Sequence, residues 1–182
     1  MFRKSLIASL AIAAMAITLT AADEKKAEGK KTATKSGGVL QPQMTPEGGW
    51  DKAMGNLGEK PAEPWSATTM GASVDGKPVP GKVVTVTGEI IDLSCYLQVG
   101  KHGDKHRECG QKCVKNGQPV GLLAEDGTVY LLCDEEHDPR RDGLTEFRKA
   151  AIDAMAHIVT INGTQTEVGG QKAIFVQGFL KK

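Results

Sequence analysis

The chain has 182 residues, of which 40% are hydrophobic and 25% charged, with a formal net charge of +1 and four cysteines. So even a balance argues against a nucleic-acid partner, which requires a clear basic excess. Aromatic residues at 4% leave little from which to build a base-stacking platform.

The chain opens on a short basic stretch, Met1-Phe2-Arg3-Lys4. The uncharged, mostly apolar run Ser5 to Leu19 follows, and then the small residues Thr20-Ala21-Ala22. This three-part pattern predicts a cleavable secretory signal over residues 1–22, and hence a periplasmic or secreted protein. As a helix the apolar run would rise only about 22 Å, short of a hydrocarbon core of about 30 Å, which disfavours a membrane anchor. No cysteine follows the run to carry a lipid, and no later segment is apolar enough to span a membrane. Without Arg3 and Lys4 the chain carries 21 basic and 22 acidic side chains, a formal charge of −1.

Residues 23–45 begin with a charged run lacking apolar periodicity and read as a disordered, solvated linker. Residues 46–81 are rich in Gly and Pro and read as an irregular segment. Trp50 and Trp65 stand out there as anchors that dock on the domain, or less simply as ligand-stacking groups.

From Lys82 the signals strengthen, and residues 82–182 read as one domain. Val83 to Leu93 is β-branched and apolar with Gly88 in its middle. Val84 and Val86 share one parity and Ile91 and Leu93 the other, so a β-bulge at Gly88 is expected to bring both pairs onto one face. Pro119 to Cys133 carries Asp126-Gly127 between two apolar runs, a hairpin signal. A two-residue turn would pair Glu125 with Thr128, Leu122 with Leu131 and Val120 with Cys133. Val120, Leu122, Ala124, Val129, Leu131 and Cys133 would then share the core face. Leu144, Phe147, Ala151, Ala154 and Met155 fall at helical spacing, which predicts a helix over Asp142 to Ala156 with Asp142 as N-cap. Ile158 to Thr164 and Lys172 to Leu180 are the last two expected strands, joined through Gly169-Gly170.

Three strands, a helix and two strands, with a glycine bend in the first, is the order an OB-fold needs. The first and fourth strands also share a phrase, TVTGEI and VTINGT. In these features the chain resembles the small OB-fold domains of exported bacterial proteins. The resemblance implies a mainly β, five-stranded Greek-key barrel with one helix between strands three and four. It implies no catalytic residue, since such barrels host unrelated functions.

The chemistry concentrates in the connection between the first two strands, DLSCYLQVGKHGDKHRECGQKCVKNG, with a Cys/His insertion at 95–117. A short helix is expected from about Lys105 to Lys115, capped by Asp104 and terminated at Gly117. His106, Cys109 and Cys113 then share one helix face, and Cys95 lies at the end of the first strand. In a meander the third strand returns Cys133 to the same barrel end.

Three readings compete for these groups. In the first, Cys95, His106, Cys109 and Cys113 bind a soft metal, Zn or Cu, with Cys133, His102 and His137 in reserve. The spacing C-x10-H-x2-C-x3-C is compact but is not a standard zinc-finger spacing. In the second, the four cysteines form disulfides, as an even count in an exported chain permits, and the domain is a stapled interaction module binding an exported partner. In the third, a thiol is reactive. The absence of C-x-x-C and C-x-x-C-H removes thioredoxin-like chemistry and covalent haem attachment.

Other motifs are weaker. The acidic run Asp134 to Asp138 suggests a hard-cation loop but lacks the calcium-loop spacing. Tyr96 and Tyr130 could form an aromatic platform. No P-loop, dinucleotide fingerprint, G-x-S-x-G or H-E-x-x-H occurs, so nothing marks an enzyme, although thiol redox chemistry stays open.

Overall fold

The computed structural model describes residues 44–135 and 143–179. The predicted signal peptide, most of the charged linker, His137 and Asp142 lie outside the described residues. No helix among the described residues is long and apolar enough to cross a membrane.

Five strands close into a barrel: β2 (Lys82–Asp92), β3 (Val120–Ala124), β4 (Val129–Asp134), β5 (Ile158–Val168) and β6 (Gln171–Val176). A two-residue strand, β1 (Asn56–Leu57), adds to the outer side of β5 in parallel. Around the barrel the order is β5-β2-β3-β4-β6, and β6 pairs back onto β5. All of these pairs are antiparallel except β4–β6, which is parallel. Among the described residues, four α-helices decorate it: α1 (Ala67–Ala72), α2 (Leu93–Val99), α3 (Arg107–Lys115) and α4 (Glu146–Asp153).

The long strand β2 explains the closure. Its first part pairs with β5, from Lys82↔Gln165 to Glu89↔Ile158, and its last part with β3, from Gly88↔Ala124 to Asp92↔Val120. Both registers run without a break, so the bulge expected at Gly88 is not formed. The opposed parities are instead buried in two different places. Val84, Val86 and Ile90 face the main core with Val120, Leu122, Leu132, Val159, Ile161 and Ile174. Ile91 and Leu93 pack on the opposite face with Leu123, Tyr96, Val129 and Leu131. Gly88 serves close approach: a Cβ there would lie 2.6 Å from Leu122 Cγ and 2.9 Å from the Leu123 carbonyl.

The β3–β4 hairpin also departs from expectation, by one residue. Val120 pairs with Leu132 and Leu122 with Tyr130. Ala124 N donates to Thr128 O (2.9 Å) and Gly127 N to Ala124 O (3.0 Å), so the loop has three residues, Glu125-Asp126-Gly127. Gly127 has φ +83 while Asp126 is not left-handed. That is a type I turn followed by a glycine bulge, whereas a two-residue type I′ turn needs positive φ at both central residues. The shift places Leu132 in the main core and sends Val129 and Leu131 to the second cluster, so the expected core face of the hairpin is corrected.

The predicted helix ends are likewise revised. Thr145, not Asp142, caps α4, its Oγ1 accepting from Arg148 N at 3.2 Å. The chain leaves the helix before Ala154. Strand β6 ends at Val176 rather than Leu180, and β5 runs on to Val168. Phe147 and Ala151 of α4 and Val114 of α3 are buried in the main core. Each large side chain so buried stabilises the fold by about 1.5–3 kcal/mol.

The segment before β2 is bound to the barrel. Glu135, almost fully buried, accepts from Ser66 N (2.7 Å) and Thr69 Oγ1 (2.8 Å), tying down α1. Trp65 stacks edge-on against Phe175 with centroids 5.3 Å apart and donates to Val79 O. Trp65 is thus an anchor.

Candidate metal centre

Asp92 ends β2 and starts α2. Its Oδ1 accepts from Ser94 N (3.1 Å) and Cys95 N (3.4 Å), the capping arrangement that short acidic side chains provide at a helix start. Cys95 therefore sits in the first turn of α2, not at a strand end, and the cap holds it on the Asp92 side. Gly100, at φ +69, ends α2.

The chain then turns back at Gly103. Glu89 Oε1 accepts from Gly103 N (2.6 Å), and Glu89 Oε2 lies 2.8 Å from His102 Nδ1. Met44 and Thr45 press on Gly103 from the other side, where a Cβ would come within 2.5 Å of Thr45 N. A 3₁₀ turn, Asp104–His106, leads into α3, which starts at Arg107 and is followed by Gly117 at φ +100. Gly103 and His106, not Asp104, hold the cap positions of this turn and of α3, and Asp104 Oδ1 accepts from Lys105 N within the turn (2.8 Å).

Helix α3 is clamped over the end of β2. Gly110 faces Met155 and Asp92, and a Cβ at this position would lie 2.9 Å from Met155 Sδ and 3.6 Å from Asp92 Cβ. Arg107 Nε donates to Met155 O (3.2 Å), Gln111 Nε2 to Ile152 O (3.0 Å) and Arg148 Nη1 to Val114 O (3.0 Å). Arg107 also pairs with Glu47.

These elements bring together one ligand atom each from Asp92, Cys95 and His106, all within 4.8 Å of one another. Asp92 is 0% and His106 6% exposed. Their facing atoms, Asp92 Oδ2 and His106 Nε2, are 3.9 Å apart, and neither has a hydrogen-bond partner among the described residues. Two buried, unpaired polar atoms facing one another are costly unless something binds between them.

Burial holds the His106 imidazole below its ordinary pKa, so the ring is neutral near pH 7, the form that binds metals. Burial and the nearby Asp92 carboxylate push the Cys113 thiol up to about 12. Burial first, and then Asp92, also raises Cys95, while its contact with Cys113 pulls the other way. The Asp92 carboxylate thus acts on both thiols. Cys109 acts on both from an exposed position.

Cys133 lies at the same barrel end, one residue past Leu132 in β4, and is free, as are the other three cysteines. The charges acting on it are those of Asp134 and Arg148. His102 is turned to Glu89 and meets Tyr96 edge-on at 5.7 Å. Tyr96 and Tyr130 belong to opposite clusters and build no common platform. Asp134 Oδ2 accepts from Thr145 Oγ1 and Glu135 holds α1, so these two acidic residues serve the fold.

Comparison of the chain with family models, curated proteins and solved structures returns no match. The residue that sequence reasoning overlooked is Asp92. Its signal was there: an Asp directly before LSCYLQV is a helix cap, and a cap holds its carboxyl group beside the backbone of the residue three positions on, here Cys95.

Proposed function

We propose that this is an exported small binding protein that holds a soft metal ion, Zn or Cu, at the end of an OB-like barrel, through Cys95, His106, Cys109 and Cys113. The observation that carries this reading is the buried, neutral His106, whose Nε2 has no hydrogen-bond partner among the described residues and lies 3.9 Å from Asp92 Oδ2, in a group that also holds the Cys95 thiol. A structural imidazole would be expected to use that nitrogen. Thiolate and imidazole donors together suit Zn²⁺ or Cu(I). The OB-like assignment is supported by the strand order, in which the third and fifth barrel strands pair in parallel and one helix joins the third to the fourth. Export is supported by the signal-like residues 1–22.

The even count of four cysteines, three of them in the insertion at 95–117, favours a second reading, a disulfide-stapled interaction module without metal. One bridge there would contribute about 3 kcal/mol through loop entropy. A single preparation separates the two. Mature protein purified from the exported fraction without reductant is assayed for bound metal and for free thiols. About one equivalent of a thiophilic metal with free thiols after chelation supports the metal site. A mass deficit of two or four hydrogens with no metal supports the staple instead.

A further inference from the structure

We propose, building on the soft-metal reading above, that Asp92 Oδ2 binds the metal directly together with Cys95 Sγ, His106 Nε2 and Cys113 Sγ, and that this mixed oxygen–nitrogen–sulfur site selects Zn²⁺ over Cu(I). On this inference Asp92 takes the place of Cys109 in the ligand set named above, and Cys109 does not bind the ion.

The two oxygens of Asp92 have divided tasks. Oδ1 caps α2 through Ser94 N and Cys95 N. Oδ2 is buried, has no hydrogen-bond partner among the described residues and faces His106 Nε2 at 3.9 Å. In a tetrahedral zinc site, bonds of about 2.0–2.2 Å set neighbouring oxygen and nitrogen ligands about 3.3 Å apart. The observed gap therefore needs to close by only about half an ångström to accept the ion. Cys95 Sγ completes a trio whose members are all within 4.8 Å. Cys113, partly buried on the same face of α3 as His106, is the fourth donor assigned here. Cys109 belongs to the same helix but is exposed to solvent.

The donor set determines the metal. Cu(I) prefers sulfur and imidazole and gains little from a carboxylate, whereas Zn²⁺ accepts all three ligand types. Replacing an exposed thiolate by a buried carboxylate thus turns a site that could have taken Cu(I) into one for a borderline divalent ion.

The test uses the full mature chain, reduced and oxygen-free, titrated with Zn²⁺ or Cu(I) against chelators of known affinity. Asp92→Asn keeps an oxygen for the α2 cap and removes the ligand oxygen. It should weaken Zn²⁺ binding about 100-fold or more, beyond the 10–100-fold typical of residues that only support a ligand, and change Cu(I) binding less than about 3-fold. Cys109→Ser should leave Zn²⁺ affinity within about 3-fold. In case Asp92→Asn misfolds, the Co²⁺-substituted wild type gives an independent reading: thiolate charge-transfer intensity for two bonds supports the set, and intensity for three overturns it. Undiminished Zn²⁺ binding by folded Asp92→Asn, or its loss in Cys109→Ser, overturns the Asp92 assignment while leaving a metal site in place. A wild type that binds neither ion overturns the metal reading itself.

Discussion

Glu89 and Gly103 are joined by a 2.6 Å hydrogen bond between a buried carboxylate and a backbone N–H. The other oxygen of Glu89 holds His102, so one side chain on the face of β2 opposite Asp92 positions the turn that delivers His106. Glu89→Ala should strand the Gly103 N–H and destabilise the protein by about 3 kcal/mol, as loss of a buried, charge-assisted acceptor does. Glu89→Gln can still accept from Gly103 and should retain most of that stability. Urea denaturation of both variants measures the difference; equal stability of Glu89→Ala and the wild type would show that the turn is held some other way.

Gly110 sets how closely α3 approaches β2. In Gly110→Val the new Cβ meets Met155 Sδ at 2.9 Å, and the branch adds bulk beside Asp92. Overpacking of this kind costs about 1–3 kcal/mol, only partly offset by the better helix propensity of valine. Metal affinity should fall with stability, because the helix that carries Cys113 is pushed from Asp92. A variant as stable as wild type with unchanged binding would refute the close-approach argument.

The metal-free, reduced protein should be most stable between about pH 6.5 and 9. A raised thiol pKa favours the neutral form in the folded state. The contribution of Cys113 is thus fully present below its ordinary pKa of 9.0 and is lost as pH rises toward about 12. His106 and His157 are held below their ordinary 6.5 by burial. Their contribution is present above pH 6.5 and is lost as pH falls through the lowered values. Thermal unfolding across pH 5 to 10.5 reads both limbs, and a melting temperature that climbs above pH 9 would contradict the thiol limb.

A chain beginning at Lys82 should be markedly less stable than one beginning at Met44. The shorter chain loses the β1–β5 pairing, the Trp65–Phe175 contact and both donors to the buried Glu135. Leaving that carboxylate without donors alone costs about 1–3 kcal/mol. Proteolytic susceptibility of the two chains gives the comparison; equal resistance would mean that residues 44–81 are dispensable.

Strand positions along residues 82–176 could be read from β-branched, apolar runs, and the one-face spacing of His106, Cys109 and Cys113 from helical periodicity. These are local properties, repeated within a few residues. The two-sided burial of β2 was not legible, because apolar residues on both faces look the same whether a bulge merges them or a helix covers the second face. Leu93 and Tyr96 of α2 supply that cover, and they are brought there by a fold-back at Asp92.

The sequence by itself determined which segments become strands, that Gly127 turns the hairpin, and that the sulfur and imidazole groups fall in one insertion between β2 and β3. Only the tertiary structure decided the hairpin register, since the choice between a two- and a three-residue turn rests on whether Asp126 goes left-handed, and core packing of Leu132 settles that. It also decided which polar atoms are left unpaired. Asp92 reads as an ordinary cap until α3, admitted by Gly110, buries its second oxygen opposite His106, and desolvation then makes that oxygen a group in need of a partner.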